Sequence, residues 1–166
     1  MISISQQKPS KNRVSGYGHE AGFGKGQRLR LMKNKIKSFR DLEVYQNTYR
    51  ACIEVMTKII PQIPDIEKND LKSQLRRSVK AIPRLIAEGY AKRHQKHGFQ
   101  KYLDDAMGEC NETIVGLEQC RDLYGEFMNN QLCEQLIDLY DKSGRQLYNL
   151  SSAWTSFKRD DKRNLS

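Results

Sequence analysis

Apolar residues between positions 98 and 126 recur in two rows with a seven-residue period. One row contains Leu103, Cys110, Leu117 and Tyr124, and the other contains Phe99, Ala106, Thr113 and Cys120. This spacing is typical of a long helix that buries one side against neighbouring helices in a bundle. It predicts helix three, from about Gly98 to Glu126, in which Gly108 and Gly116 permit a close approach of another helix.

Helix one is predicted from about Phe39 to Ile60. Ser38 and Asp41 have the spacing of a capping box at its start, and Pro61 marks its end. Residues at three- and four-residue steps form its apolar stripe, which is expected to face the core. The members of this stripe are Phe39, Leu42, Tyr45, Tyr49, Cys52, Ile53, Met56 and Ile60.

Helix two is predicted from about Asp70 to Ala91, with Asn69 or Asp70 as the N-cap. Pro83 lies within this segment, and it should kink the helix or split it in two because proline removes a backbone donor. The apolar stripe of helix two contains Leu71, Leu75, Val79, Ile82 and Ile86. Helix four is predicted over residues 131–157, with an apolar stripe that ends at Trp154 and Phe157.

Four long helices with short connections predict an all-α, antiparallel up-down four-helix bundle over residues 36–158. Residues 1–35 are polar and lack periodicity, so they are predicted to be a disordered basic tail or an upstream extension. Residues 159–166 are charged, and we expect them to be a frayed C-terminus.

The composition excludes several classes of protein. The chain has no long apolar run for a membrane span and no apolar signal core, so we expect a cytoplasmic location. The four cysteines lie in helical apolar patterns and are expected to be buried and reduced: Cys52, Cys110, Cys120 and Cys133. His94 and His97 have no carboxylate or cysteine at metal-ligand spacing. We therefore expect neither an enzyme nor a protein with a metal or cofactor.

Charge is divided unequally between the predicted helices. Residues 68–101 contain ten lysines and arginines against two acidic residues, Asp70 and Glu88. Residues 102–141 contain Arg121 as their one basic residue against ten acidic residues. Helix two is therefore strongly basic and helix three acidic, a separation larger than a mixed solvent-facing surface would give.

Three explanations of this separation remain open, and they are not exclusive. The two helices could form ion pairs within one chain, or the basic face could meet the acidic face of another copy. Alternatively, the cations could bind phosphates of RNA or DNA without reading sequence. The candidate phosphate-binding residues are Arg76, Arg77, Lys80, Arg84, Lys92, Arg93 and Lys96.

Several motifs resemble the four-helix-bundle family named after proteins encoded in intervening sequences of bacterial 23S ribosomal RNA genes. The motifs are Phe39-x-x-Leu42-x-Val44-Tyr45-Gln46, Gln74-Leu75-Arg76-Arg77-Ser78, Ile82-Pro83, Ile86-Ala87-Glu88-Gly89, Arg93, Gly108-Glu109 and the stretch 112–117. The resemblance covers about residues 37–157, with Ala81 and Leu85 standing where the family usually has Ser and Asn.

The resemblance implies a four-helix subunit and a homo-oligomer, because relatives are similar to ring-forming pentamers. A related branch is the accessory variability protein of diversity-generating retroelements, which binds nucleic acid and a reverse transcriptase. We therefore expect a non-catalytic oligomer that binds RNA or DNA through helix two, with a reverse transcriptase as a further partner. The alternative is an assembly protein whose charged faces mediate only ring formation or partner binding.

Overall fold

The computed structural model describes residues 36–95 and 97–163, with side chains described up to Trp154 apart from residue 96. Four helices account for most of this part of the chain: α1 (Glu43–Glu54), α2 (Leu71–Ala91), α3 (Gly98–Tyr124) and α4 (Asn130–Arg163). Each helix packs against its neighbours in the chain, and α1 also contacts α4. The two described ranges contain no strand, and the predicted all-α four-helix bundle is confirmed.

The start of the first helical segment forms as predicted. The backbone N–H of Ser38 donates to Asp41 Oδ2 at 2.8 Å, and the backbone N–H of Arg40 donates to Ser38 Oγ at 3.2 Å. This capping box begins a 3-10 turn, Phe39–Asp41, directly before α1. After α1, the backbone continues through a π-helical turn, Val55–Ile59, and two 3-10 turns, Ile60–Gln62 and Asp65–Glu67.

The apolar stripe predicted for helix one is partly wrong. Val44, Thr48 and Ala51 face the core, whereas Tyr49 and Ile53 are 50% and 48% exposed. At the usual rotation of about 100° per residue, the apolar residues of this helix occupy an arc of about 200° around its axis. The spacing therefore identifies an apolar helix without identifying which side of it is buried.

The stripe of α2 is confirmed, because all five of its predicted members are buried. Pro83 is buried within a helix that continues unbroken from Leu71 to Ala91, so the predicted split is wrong. Asp70 occupies the N-cap position, but its side chain makes no capping hydrogen bond. Glu67 takes over that role, since its Oε2 accepts from the backbone N–H of Leu71 at 3.3 Å.

The contact between α2 and α3 is close near both ends of α2 and includes one buried polar pair. A Cβ at Gly89 would lie 2.7 Å from Tyr102 Cβ, and one at Gly116 would lie 3.1 Å from Leu75 Cδ1. Between them, Thr113 Oγ1 donates to the Oγ of buried Ser78 at 3.0 Å. The predicted role of Gly116 is thereby confirmed, whereas the one predicted for Gly108 is wrong because nothing lies within 4 Å of its added Cβ.

The four cysteines are buried and free, as predicted, and both seven-residue rows of α3 face the core except for half-buried Tyr124. The helix α4 reaches Arg163, beyond its predicted end at Phe157. Residues 1–35 lie outside the described residues, so the basic tail stays a prediction. Fraying of residues 159–166 also stays a prediction: residues 159–163 continue α4, and residues 164–166 lie outside the described range. In the described ranges, no helix has both the length and the apolar character needed to cross a bilayer.

Candidate nucleic-acid interface

Four cations share the solvent side of α2. Arg76, Lys80 and Arg84 follow one another at four-residue steps, so each is rotated only about 40° from the last. Arg77 points in nearly the same direction as Arg84, from which it is rotated about 20° around the helix axis. All four side chains are exposed, opposite the buried stripe of the helix. These four residues are called the basic face below.

The basic face lacks direct partners among the residues that the structure describes. None of its four side chains forms an ion pair or a side-chain hydrogen bond with another described residue. Direct ion pairing between α2 and α3, one of the three explanations of the charge separation, is therefore not seen for these cations.

One edge of the basic face borders the carboxylates of α3. Burial raises the pKa of the Glu109 carboxyl, the charge of Glu112 raises it further, and the charge of Arg77 opposes both effects. Glu109 is partly buried, and its neighbours Asp105 and Glu112 are exposed. The surface therefore changes from basic to acidic across the α2–α3 contact, with Arg77 close enough to act on Glu109 electrostatically.

Two candidate cations just beyond α2, Lys92 and Arg93, are engaged within the subunit. Lys92 Nζ lies 2.8 Å from Glu88 Oε1, donates to the Tyr102 hydroxyl, and sits 4.5 Å from the centre of that ring. The hydrogen bonds from Lys92 and Tyr102 lower the pKa of the Glu88 carboxyl. The four-residue spacing of Glu88 and Lys92 suits this ion pair, whereas no sequence spacing links Lys92 to Tyr102 on α3.

Arg93 also contacts its own helix end. Its Nη1 donates to the carbonyl of Tyr90 at 2.8 Å, and its guanidinium lies 4.2 Å from the centre of the Tyr90 ring. Lys92 and Arg93 are both half-buried as a result. Lys96, the last of the seven candidates, lies outside the described residues. Of the seven candidates, the four cations of the basic face are those seen exposed and without a direct partner among the described residues.

Comparison with known proteins identifies the family. No curated protein and no solved structure matches the chain. A family model described as 23S rRNA-intervening sequence protein matches residues 40–149, a range that includes α1, α2, α3 and much of α4. That match covers well over half of the chain, and the chain therefore belongs to the family of 23S rRNA-intervening sequence proteins.

Proposed function

We propose that this protein is a non-catalytic, oligomeric four-helix bundle that binds RNA or DNA through phosphate contacts on α2, in the cytoplasm. The observation that carries the proposal is the basic face, four exposed cations without a carboxylate partner in the described ranges. Phosphate oxygens would supply the missing negative charge. The description of the family names an rRNA sequence, which is compatible with association with nucleic acid.

The arrangement of these cations favours contacts with a backbone over recognition of sequence. Arg76, Lys80 and Arg84 form a line along the helix, and a line of charges matches a repeating phosphate chain. Lys92 and Arg93 would extend this line beyond the end of α2, and Lys96 is proposed as a further phosphate contact. Lys92 and Arg93 would then have to share or exchange their present contacts with Glu88 and Tyr90.

Charge reversal on the basic face tests the proposal. The triple variant Arg76→Glu, Lys80→Glu and Arg84→Glu should lose binding to a labelled mixed-sequence RNA, measured by fluorescence anisotropy at low salt. A matched control reverses three exposed cations elsewhere, Arg50, Lys68 and Lys142, and so changes the net charge by the same amount. We expect the control variant to bind far more tightly than the first. Equal binding by wild type and the basic-face variant would refute the proposal.

Assembly alone is a second candidate function, favoured by the acidic surface of α3. The carboxylates of Asp105 and Glu112 are exposed beside Glu109 without an ion-pair partner among the described residues. The basic face of another copy could supply that partner, and repetition of such a contact closes a ring when the rotation permits. An oligomer that dissociates at high salt, from a protein that never binds nucleic acid, would favour this candidate.

The resemblance extends the proposal to particular partners. We propose a homo-pentamer as the assembled state and a reverse transcriptase as a protein partner in a retroelement. A reverse transcriptase gene beside the gene for this chain, followed by co-purification of the two products, would support this role. Failure of the two purified proteins to associate would count against it and would leave phosphate binding by α2 untouched.

A further inference from the structure

An ordered aromatic stack runs along the exposed side of α1. The rings of Tyr45 and Tyr49 are stacked, with centroids 5.9 Å apart and planes 21° apart. Phe39 packs edge-on against Tyr45 at 4.8 Å, which holds the inner end of the stack. Tyr49 forms the outer end and is 50% exposed, and Ile53, one turn further along, is 48% exposed. Sequence periodicity assigned all four residues to the core, whereas the fold packs Phe39 and Tyr45 against the core and leaves Tyr49 and Ile53 facing solvent.

The stack lies on the edge of α1 away from α4, because Gln146 Nε2 on α4 donates to Glu43 Oε1 at 3.2 Å and Glu43 is about 120° from Tyr49 around α1. That edge faces α2, the other helix against which α1 chiefly packs.

Two hydrogen bonds on either side of α1 show that it runs antiparallel to α2. Lys72 Nζ donates to the carbonyl of Ile63 at 3.0 Å, and the Tyr90 hydroxyl donates to the carbonyl of Ile36 at 3.3 Å. Tyr49 is therefore level with the middle of α2, where Lys80 and Arg84 lie.

The position of Cys52 supports this placement. Tyr49 precedes Cys52 by three residues, so the two lie about 60° apart around α1. Burial raises the pKa of the Cys52 thiol, and the nearby charge of Lys80 opposes that effect. Lys80 is therefore within electrostatic reach of this flank of α1. Because the two segments run antiparallel, the step from Lys80 to Arg84 along α2 has the same axial direction as the step from Cys52 to Tyr49 along α1.

An exposed tyrosine beside a line of cations is a combination suited to unpaired bases. Cations bind the phosphates of any nucleic acid, whereas an aromatic ring can stack on a base only when that base is not already stacked inside a duplex. We propose that the groove between α1 and α2 binds single-stranded nucleic acid, with phosphates on the basic face and one base stacked on Tyr49. This inference rests on the proposed function and adds a ligand class to it.

The test compares the full chain with Tyr49→Ala, Tyr49→Phe and Tyr148→Ala. Tyr148 is a suitable control because it is 63% exposed on α4, which borders α1 and α3. The three probes are a single-stranded RNA, the same RNA in a duplex, and inorganic polyphosphate, which has no bases. Tyr49→Ala should weaken binding to the single strand by about five- to a hundredfold and leave polyphosphate binding unchanged. Tyr49→Phe and Tyr148→Ala should both bind the single strand as the wild type does.

Three results would overturn the inference. The first is that Tyr49→Ala binds the single strand as tightly as the wild type does, while the variant with the reversed basic face does not bind it. That result would refute base stacking on Tyr49 and leave the proposed function standing. The second is an equal loss of affinity for all three probes. The third is a smaller oligomer for Tyr49→Ala by light scattering, which would assign this flank of α1 to contact with another copy. Absence of nucleic-acid binding by the wild type would instead refute the proposed function, and this inference with it.

Discussion

Gly89 and Gly108 are both helical glycines, and replacing each by alanine should have clearly different effects on stability. Alanine is the better helix former by about 0.5–1 kcal/mol, and this gain applies to both substitutions. At Gly108, nothing lies within 4 Å of the added methyl group, so Gly108→Ala should raise the free energy of unfolding by about that amount. Gly108→Ala is therefore the matched control for the buried site.

At Gly89 the added methyl group meets another helix. It would lie 2.7 Å from Tyr102 Cβ and 3.1 Å from Phe99 Cδ2. A Cβ atom is fixed to its backbone, so α2 and α3 must separate to relieve the contact. Overpacking of this kind costs about 1–3 kcal/mol, and the net effect of Gly89→Ala should range from no change to a loss of about 2 kcal/mol.

The difference between the two variants isolates the packing cost, because the helix propensity gain is common to both. Urea denaturation followed by circular dichroism should show Gly89→Ala to be less stable than Gly108→Ala by about 1–3 kcal/mol. Equal stabilisation by both substitutions would refute the close approach of α2 and α3 at Gly89.

Two further predictions concern a pair of tyrosines and two buried cysteines. The Tyr140 hydroxyl is buried and has no hydrogen-bond partner among the described residues, so Tyr140→Phe should raise the free energy of unfolding by about 1 kcal/mol in denaturant titrations. Tyr124→Phe should lower it by a similar amount because the Tyr124 hydroxyl donates to Glu67, and the reverse order of the two variants would contradict both assignments. Burial raises the pKa of the Cys110 and Cys120 thiols to about 12, from 9.0 for an ordinary thiol. The pKa of these thiols is higher in the folded than in the unfolded protein, so the free energy of unfolding that they contribute is complete below pH 9.0 and is lost as the pH rises towards 12. Denaturant titrations across this pH range should show a smaller loss of stability per pH unit for Cys110→Ala than for the wild type.

The sequence predicted the helices well because their core sides repeat at helical spacing. Both rows of α3 and the stripe of α2 were identified because polar residues flank them on both sides. The same reasoning failed for Tyr49 and Ile53, because apolar residues occupy more than half of the circumference of α1. It also failed to separate Gly116 from Gly108, because only the neighbouring helix determines which glycine is approached closely.

The candidate site was predictable in position and not in detail. Counting charge by segment located the cations on α2, and helical spacing placed Arg76, Lys80 and Arg84 together. Spacing could not show that Lys92 is engaged by Tyr102, because the contact joins different helices. It also could not predict that Tyr49 is exposed, which depends on how α1 packs against its neighbours.

The salt dependence of RNA binding tests the central claim most directly. Each phosphate contact to a single strand contributes about −0.7 to the slope of log affinity against log salt concentration, so the four cations of the basic face predict a slope of about −3 or steeper. The variant with Arg76, Lys80 and Arg84 changed to glutamate should have a slope shallower by at least about 2. A wild-type affinity that does not change with salt, or the same slope in wild type and variant, would contradict phosphate binding by α2.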